Sequence, residues 1–86
     1  MKRKLERVMD TLHEWHTPEA KRILAEMGVS ERNWRFFMLH NGFADGHVWS
    51  LAEIANAEEE DISRVRVFQI VKKTRKRLQL YLESQK

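Results

Sequence analysis

The chain has 86 residues, 34% of them charged, with 16 Lys and Arg against 13 Asp and Glu and a formal net charge of +3. That length holds one domain and one core, not a deep cleft between two lobes, and a hydrophobic content of 42% is too high for a disordered segment. The absence of Cys excludes disulfides, thiolate zinc sites and thiol catalysis, and no apolar run approaches the roughly 18 residues of a membrane span.

The start, Met1-Lys2-Arg3-Lys4, is basic, but Leu5-Glu6-Arg7 follows where a signal peptide has its apolar stretch. A cytoplasmic protein with no membrane partner is expected. The charge is unevenly spread. Residues 1–61 carry a net −4 and residues 62–86 a net +7. A mildly acidic body joined to a basic end points toward polyanions.

Pro is nearly absent, Gly is rare and no alternating run with a hairpin turn appears, so the expected fold is all-α. About five helices are expected in a single domain over 1–86. Leu5, Val8, Met9, Leu12 and Trp15 follow 3–4 spacing and predict a first helix over roughly residues 2–15. Thr17-Pro18-Glu19 opens a second, with Thr as N-cap and Pro in the first turn; it carries Ile23, Leu24 and Met27 and stops at Gly28. Ser30 caps a third, with Trp34, Phe37 and Met38 as apolar bulk and Phe36 and Leu39 flanking. Asn41-Gly42 ends it, since both residues tolerate a left-handed backbone. A loop follows over 43–47.

Trp49-Ser50-Leu51-Ala52-Glu53-Ile54 is the sharpest local signal. Ser50 and Glu53 have capping-box spacing, and Trp49 and Ile54 hold the two positions of a hydrophobic staple. The fourth helix should stop at or before Glu58-Glu59-Glu60-Asp61, whose charges oppose the helix dipole. Ser63 caps a long last helix whose inner stripe is Val67, Ile70, Val71, Thr74, Leu78 and Leu82, running to about residue 83. The helices at 50–58 and 62–83 have the layout of a helix-turn-helix, with small Ala55 at the crossing. The outer face of the second then presents Arg64, Val65, Phe68, Gln69, Lys72 and Lys73. Arg suits a guanine edge, Gln an adenine edge and Lys a phosphate.

Here the chain resembles a known family. Ile62-Ser63-Arg64-Val65-Arg66-Val67-Phe68-Gln69-Ile70-Val71-Lys72-Lys73-Thr74-Arg75-Lys76-Arg77-Leu78 is similar to the recognition helix of the fourth conserved region of bacterial sigma factors. That family typically reads Val-Thr-Arg-Glu-Arg-Ile-Arg-Gln-Ile-Glu-x-Lys-Ala-Leu-Arg-Lys-Leu there. Ser30-Glu31-Arg32 looks like the family's Pro-Glu-Arg opening of an earlier helix. Asn41-Gly42-Phe43 with Asp45-Gly46 looks like its Tyr-Gly-Leu-x-Asp-Gly loop, and Ser50-Leu51-Ala52-Glu53-Ile54-Ala55 like its Thr-Leu-Glu-Glu-Ile-Gly. The resemblance covers roughly residues 29–80, leaving 1–28 as an added helical pair for packing, homodimer formation or partner capture.

In that family this region binds an upstream promoter element and docks on RNA polymerase. The resemblance implies a DNA-binding transcription regulator acting with RNA polymerase or a sigma-type partner. By position, Arg64 and Gln69 match base-contacting residues, while Arg66 and Lys73 match polar or basic positions near the backbone. Ser63, Val65, Lys72 and Lys76 complete the expected DNA-binding set. Val65 stands where the family has a base-reading Glu and Phe68 where it has Arg. The segment from Ala55 to Ile62 is two residues longer than usual, lacks the turn Gly and carries the four acids. The family's usual promoter element is therefore not the expected target. At 86 residues from Met1 there is no room for the promoter-melting region, so the expectation is an accessory, phage or mobile-element regulator.

The alternative is a protein-interaction module that binds RNA polymerase or another transcription factor without reading DNA. Phe68, with Trp34 and Arg35, is its candidate set. Blander roles compete for several residues. Lys72, Lys73, Arg75, Lys76 and Arg77 serve either as phosphate contacts or as a solubilising face. Trp15, Trp34 and Trp49 read first as core or staple. His13 and His16 share a face but lack a third ligand, so no metal or cofactor is expected. His40 and His47 read as solvated. No nucleophile, base and acid fall together, and no enzyme is expected.

Overall fold

A computed structural model describes residues 4–57 and 62–84. The Leu5 side chain and the acidic run 58–61, both used above, lie outside the described residues. The described chain is all helical: α1 (Lys4–Leu12), α2 (Pro18–Met27), α3 (Glu31–His40), α4 (Leu51–Ala57) and α5 (Arg64–Ser84). No described helix is long and apolar enough to cross a membrane.

Caps set the helix boundaries. Thr17 is extended and its hydroxyl accepts the Ala20 N–H, and Pro18 enters the first turn without an orphan donor. At the far end of α2 the Gly28 N–H reaches the Ala25 oxygen and the Val29 N–H reaches Leu24. That pair of bonds is a Schellman motif, with Gly28 left-handed at φ 73° and with Leu24 and Val29 both buried. The same motif closes α3, through Gly42 to Leu39 and Phe43 to Met38. Only Gly42 is left-handed there; Asn41 has φ −96°. Asn41 is the C-cap, one residue before the left-handed position, and its amide donates to the Phe37 oxygen at 2.8 Å. At α4 the capping box is reciprocal: Glu53 N–H to Ser50 Oγ at 3.1 Å, and Ser50 N–H to Glu53 Oε1 at 3.0 Å. Ser63 Oγ accepts the Arg66 N–H and starts α5.

The first helix is shorter than its periodicity predicts. It ends at Leu12, and 13–16 form a turn. The residue before Pro18 must be extended, and the chain has to reverse before reaching it.

One core draws on all five helices, from Leu12 through Leu24, Trp34, Phe37 and Ile54 to Val67, Ile70, Val71 and Leu78. α5 is the strut against which α3 packs most extensively, then α4, with α2 nearer its far end. Of the inner stripe on α5, five residues are buried and Leu82 is half-buried. Thr74 belongs among the five because its hydroxyl donates back to the Ile70 oxygen at 2.8 Å, which removes the cost of burying it. Two side-chain bonds fix α5 to other helices. Arg75 Nη2 donates to Asn41 Oδ1 at 3.0 Å, and the Tyr81 hydroxyl donates to Glu26 Oε2 at 3.2 Å. Burial, and then the Glu26 carboxylate, raise the Tyr81 pKa.

Candidate nucleic-acid interface

α5 buries one stripe and leaves the rest of its circumference outward. Ser63, Arg64, Val65, Arg66, Gln69, Lys72, Lys73 and Lys76 are all exposed, as the sequence predicts. No Asp or Glu occurs in α5 before Glu83. Arg64, Arg66, Lys72, Lys73, Lys76 and Arg77 therefore have no acid three or four residues away within their own helix to neutralise them. Only Arg75 of this basic run holds a side-chain hydrogen bond across to another helix among the described residues. Ser63 has its oxygen committed to the cap, with its hydroxyl proton left to donate.

These residues do not form one patch. They divide into three surfaces by their angle around α5. Arg64, Val65 and Phe68 face the start of α4 and, with Ser50, Leu51 and Ala52, line an open apolar groove of about 440 Å³. Gln69, Lys72, Lys73 and Lys76 share a second surface with Arg75 and Gln79. Arg66, Lys73 and Arg77 turn the other way, toward the corner between α2 and α3. Gln69 and Lys73 border both of the last two surfaces.

Val65 is 66% exposed and Phe68 50%. Phe68 is thus not a core residue; the adjacent Val67 is, at 0%. A half-exposed Phe beside a more exposed Val is unusual on a face meant for polar base edges.

Two members of the candidate protein-binding set sit elsewhere. Trp34 is fully buried, and its indole Nε1 donates to the Leu12 oxygen at 3.0 Å. It is core and offers no surface to a partner. Arg35 is half-buried with its guanidinium 5.7 Å from the Phe36 ring centroid, opposite Arg32 at 5.8 Å. The two cations cover Phe36, which is itself 0% exposed.

The loop before α4 is more ordered than a solvated reading of its histidines implies. His40 Nδ1 meets the Trp49 oxygen at 2.9 Å; since a carbonyl only accepts, Nδ1 carries the proton. His47 Nε2 lies 3.3 Å from Glu53 Oε2. Asp45 accepts the His47 N–H and the Trp49 indole N–H. These bonds, the His47 amide first, hold the Asp45 carboxyl below its ordinary range. The Ser50 N–H, then His47, do the same for Glu53. His13 and His16 are exposed on the turn after α1, and no group of three metal-ligating side chains occurs among the described residues.

Gly28, read from the sequence only as a helix stop, and Asn33 form the far wall of the third surface, a role no local signal gives them. They lie in a helix corner far from α5 in sequence, so only the packing of α2 and α3 on α5 brings them to it. No protein-family model, no curated protein and no solved structure matches the chain.

Proposed function

We propose that the chain is a DNA-binding transcription regulator that lays α5 against a duplex and works with RNA polymerase, as the likeness to sigma factor region 4 implies. The observation that carries this reading is the run of exposed cationic side chains on α5 from Arg64 to Arg77, a stretch of the helix that contains no Asp or Glu. Arg64 and Gln69 are the base-reading candidates. Arg66, Lys72, Lys73 and Lys76 are the phosphate contacts, and Ser63 donates its hydroxyl to a phosphate at the helix start.

The test is a selection of bound duplexes from a random pool at two salt concentrations. Arg64→Ala and Gln69→Ala should then each weaken the preferred duplex by about 1–3 kcal/mol while changing random DNA less. Log K should fall with log salt at a slope of about −0.9 per phosphate contact. Equal losses on both duplexes, or no binding at low salt, would reject the reading.

The groove at Leu51, Ala52, Val65 and Phe68 favours a second reading, a module that docks on RNA polymerase or another transcription factor. Its test is binding to purified bacterial RNA polymerase. Loss on Phe68→Glu, with the helical spectrum kept, supports it; unchanged binding rejects it.

A further inference from the structure

Between the α2–α3 corner and α5 lies a recess of about 140 Å³. Gly28 and Asn33 form one wall; Arg66, Gln69, Lys73 and Arg77 form the other. The three cations sit at spacings of seven and four residues, which puts them on one face of the helix. No carboxylate lines the recess, and none of the three cations has an ion pair among the described residues. Like charges crowded around one cavity repel unless an anion sits between them.

The rest of the lining is Gln69, whose amide can donate or accept, the apolar Val29 and Ile70, and Thr74, whose hydroxyl already donates to the Ile70 oxygen. The Asn33 amide oxygen is occupied by Arg32 Nε at 3.3 Å, which leaves its NH2 to donate. Gly28 has no side chain, and a Cβ there would stand 3.5 Å from Arg77 Nη1. The guanidinium therefore lies against the bare turn, at the edge of the recess. Two planar guanidinium forks and one ammonium point charge match a tetrahedral oxyanion with several acceptors. The volume is well below the roughly 300–1,000 Å³ of a site for a whole drug-sized ligand, so the recess suits one group and not a nucleoside.

We propose that this recess is a phosphate-binding site that takes a single phosphate group, separate from the α5 edge bearing Arg64, Val65 and Phe68. The group is carried either by a free phosphorylated compound or by the DNA backbone. Only the second source rests on the DNA-binding reading.

The experiment titrates sodium phosphate into the 15N-labelled full chain, with sodium chloride at matched ionic strength as reference. Saturable amide shifts should centre on Gly28, Asn33 and Gln69. Lys73→Gln and Arg77→Gln should each weaken phosphate about tenfold, the effect of losing one charge-assisted hydrogen bond, and Arg7→Gln, exposed on α1 and outside the lining, should leave it unchanged. Shifts that fail to saturate, that chloride reproduces, or that Arg7→Gln reduces equally would overturn the site. If Arg77→Gln disturbs the fold, Lys73→Gln carries the test, since Lys73 is exposed.

A second arm adds a short duplex of random sequence. If the group is a backbone phosphate, saturating duplex abolishes the phosphate shifts and each substitution lowers the salt slope by about 0.9. If the shifts persist with duplex bound, the group is a free phosphorylated compound. A chain that binds phosphate but no duplex at any salt keeps this site and rejects the DNA-binding function.

Discussion

The indole of Trp34 donates to the main-chain oxygen of Leu12 at 3.0 Å, across 22 residues of chain. Leu12 is the last residue of α1, and its carbonyl is one of the four that a helix leaves unpaired at its C-terminus. Both residues are fully buried, so no water takes the place of the bond. A core residue of α3 thus caps α1 and ties the first helix to the rest of the fold. Trp34→Phe keeps the ring but removes the donor. It should cost about 1–3 kcal/mol, the penalty of an orphaned buried acceptor. Urea unfolding measures the loss, and hydrogen exchange should quicken first in α1. An unchanged midpoint would mean that the bond contributes nothing to α1 docking.

That bond also marks where the sequence stops being legible. Thr17, Ser30, Ser50 with Glu53, Gly28 and the inner stripe of α5 are local signals, written within one or two turns, and the structure keeps them all. Trp34 is different. Its type favours a core or a staple, and only the distant Leu12 carbonyl shows which. The 3–4 period runs on through Trp15, past the observed end of α1 at Leu12, while the constraint that ends the helix comes from Pro18 beyond it. The three surfaces on α5 divide according to what packs beside it, α4 on one side and the α2–α3 corner on the other. A helical wheel gives the angles but not those neighbours.

The two helix-closing glycines should differ in cost. Gly28→Ala forces an alanine to φ 73°, worth about 1–2 kcal/mol, but its Cβ meets only ordinary contact with Arg77 at 3.5 Å. Gly42→Ala carries the same backbone strain at φ 74° and also drives a Cβ to 3.0 Å from Val48 Cγ2. It should be the more destabilising of the two in denaturant melts. Equal losses would show that Val48, which is exposed, moves aside at no cost.

The loop before α4 gives the fold an acid-sensitive element. Asp45 and Glu53 are both held below their ordinary pKa by hydrogen bonds that only the folded chain makes. A depressed folded pKa contributes stability above the unfolded pKa, and that stability is lost as pH falls through the folded value. The window is therefore below about pH 4.3 for Glu53 and about pH 3.9 for Asp45. Glu53→Gln keeps an acceptor for the Ser50 N–H, since a capping box tolerates Gln, but removes the titration. Urea midpoints followed from pH 7 down to pH 3 should fall less steeply for Glu53→Gln than for the parent chain. Parallel curves would show that this carboxylate has no linkage to folding.

Val67 and Phe68 are neighbours with opposite environments, 0% and 50% exposed. Burial rather than size should decide which of them holds the fold. Val67→Ala removes two buried methyl groups and leaves a small void between α5 and the core, at about 2 kcal/mol. Phe68→Ala removes a whole ring from the rim of an open groove and should cost under about 1 kcal/mol. Denaturant unfolding of the two variants under one condition checks the ordering. A reversed ordering would mean that α5 is rotated by about one residue, about 100° of helix, which would also turn Arg64 and Gln69 away from the positions assigned to them. The expected ordering leaves Phe68 as a residue whose replacement changes what the groove binds without unfolding the chain. It is therefore the cleanest position at which to separate docking on RNA polymerase from contact with DNA.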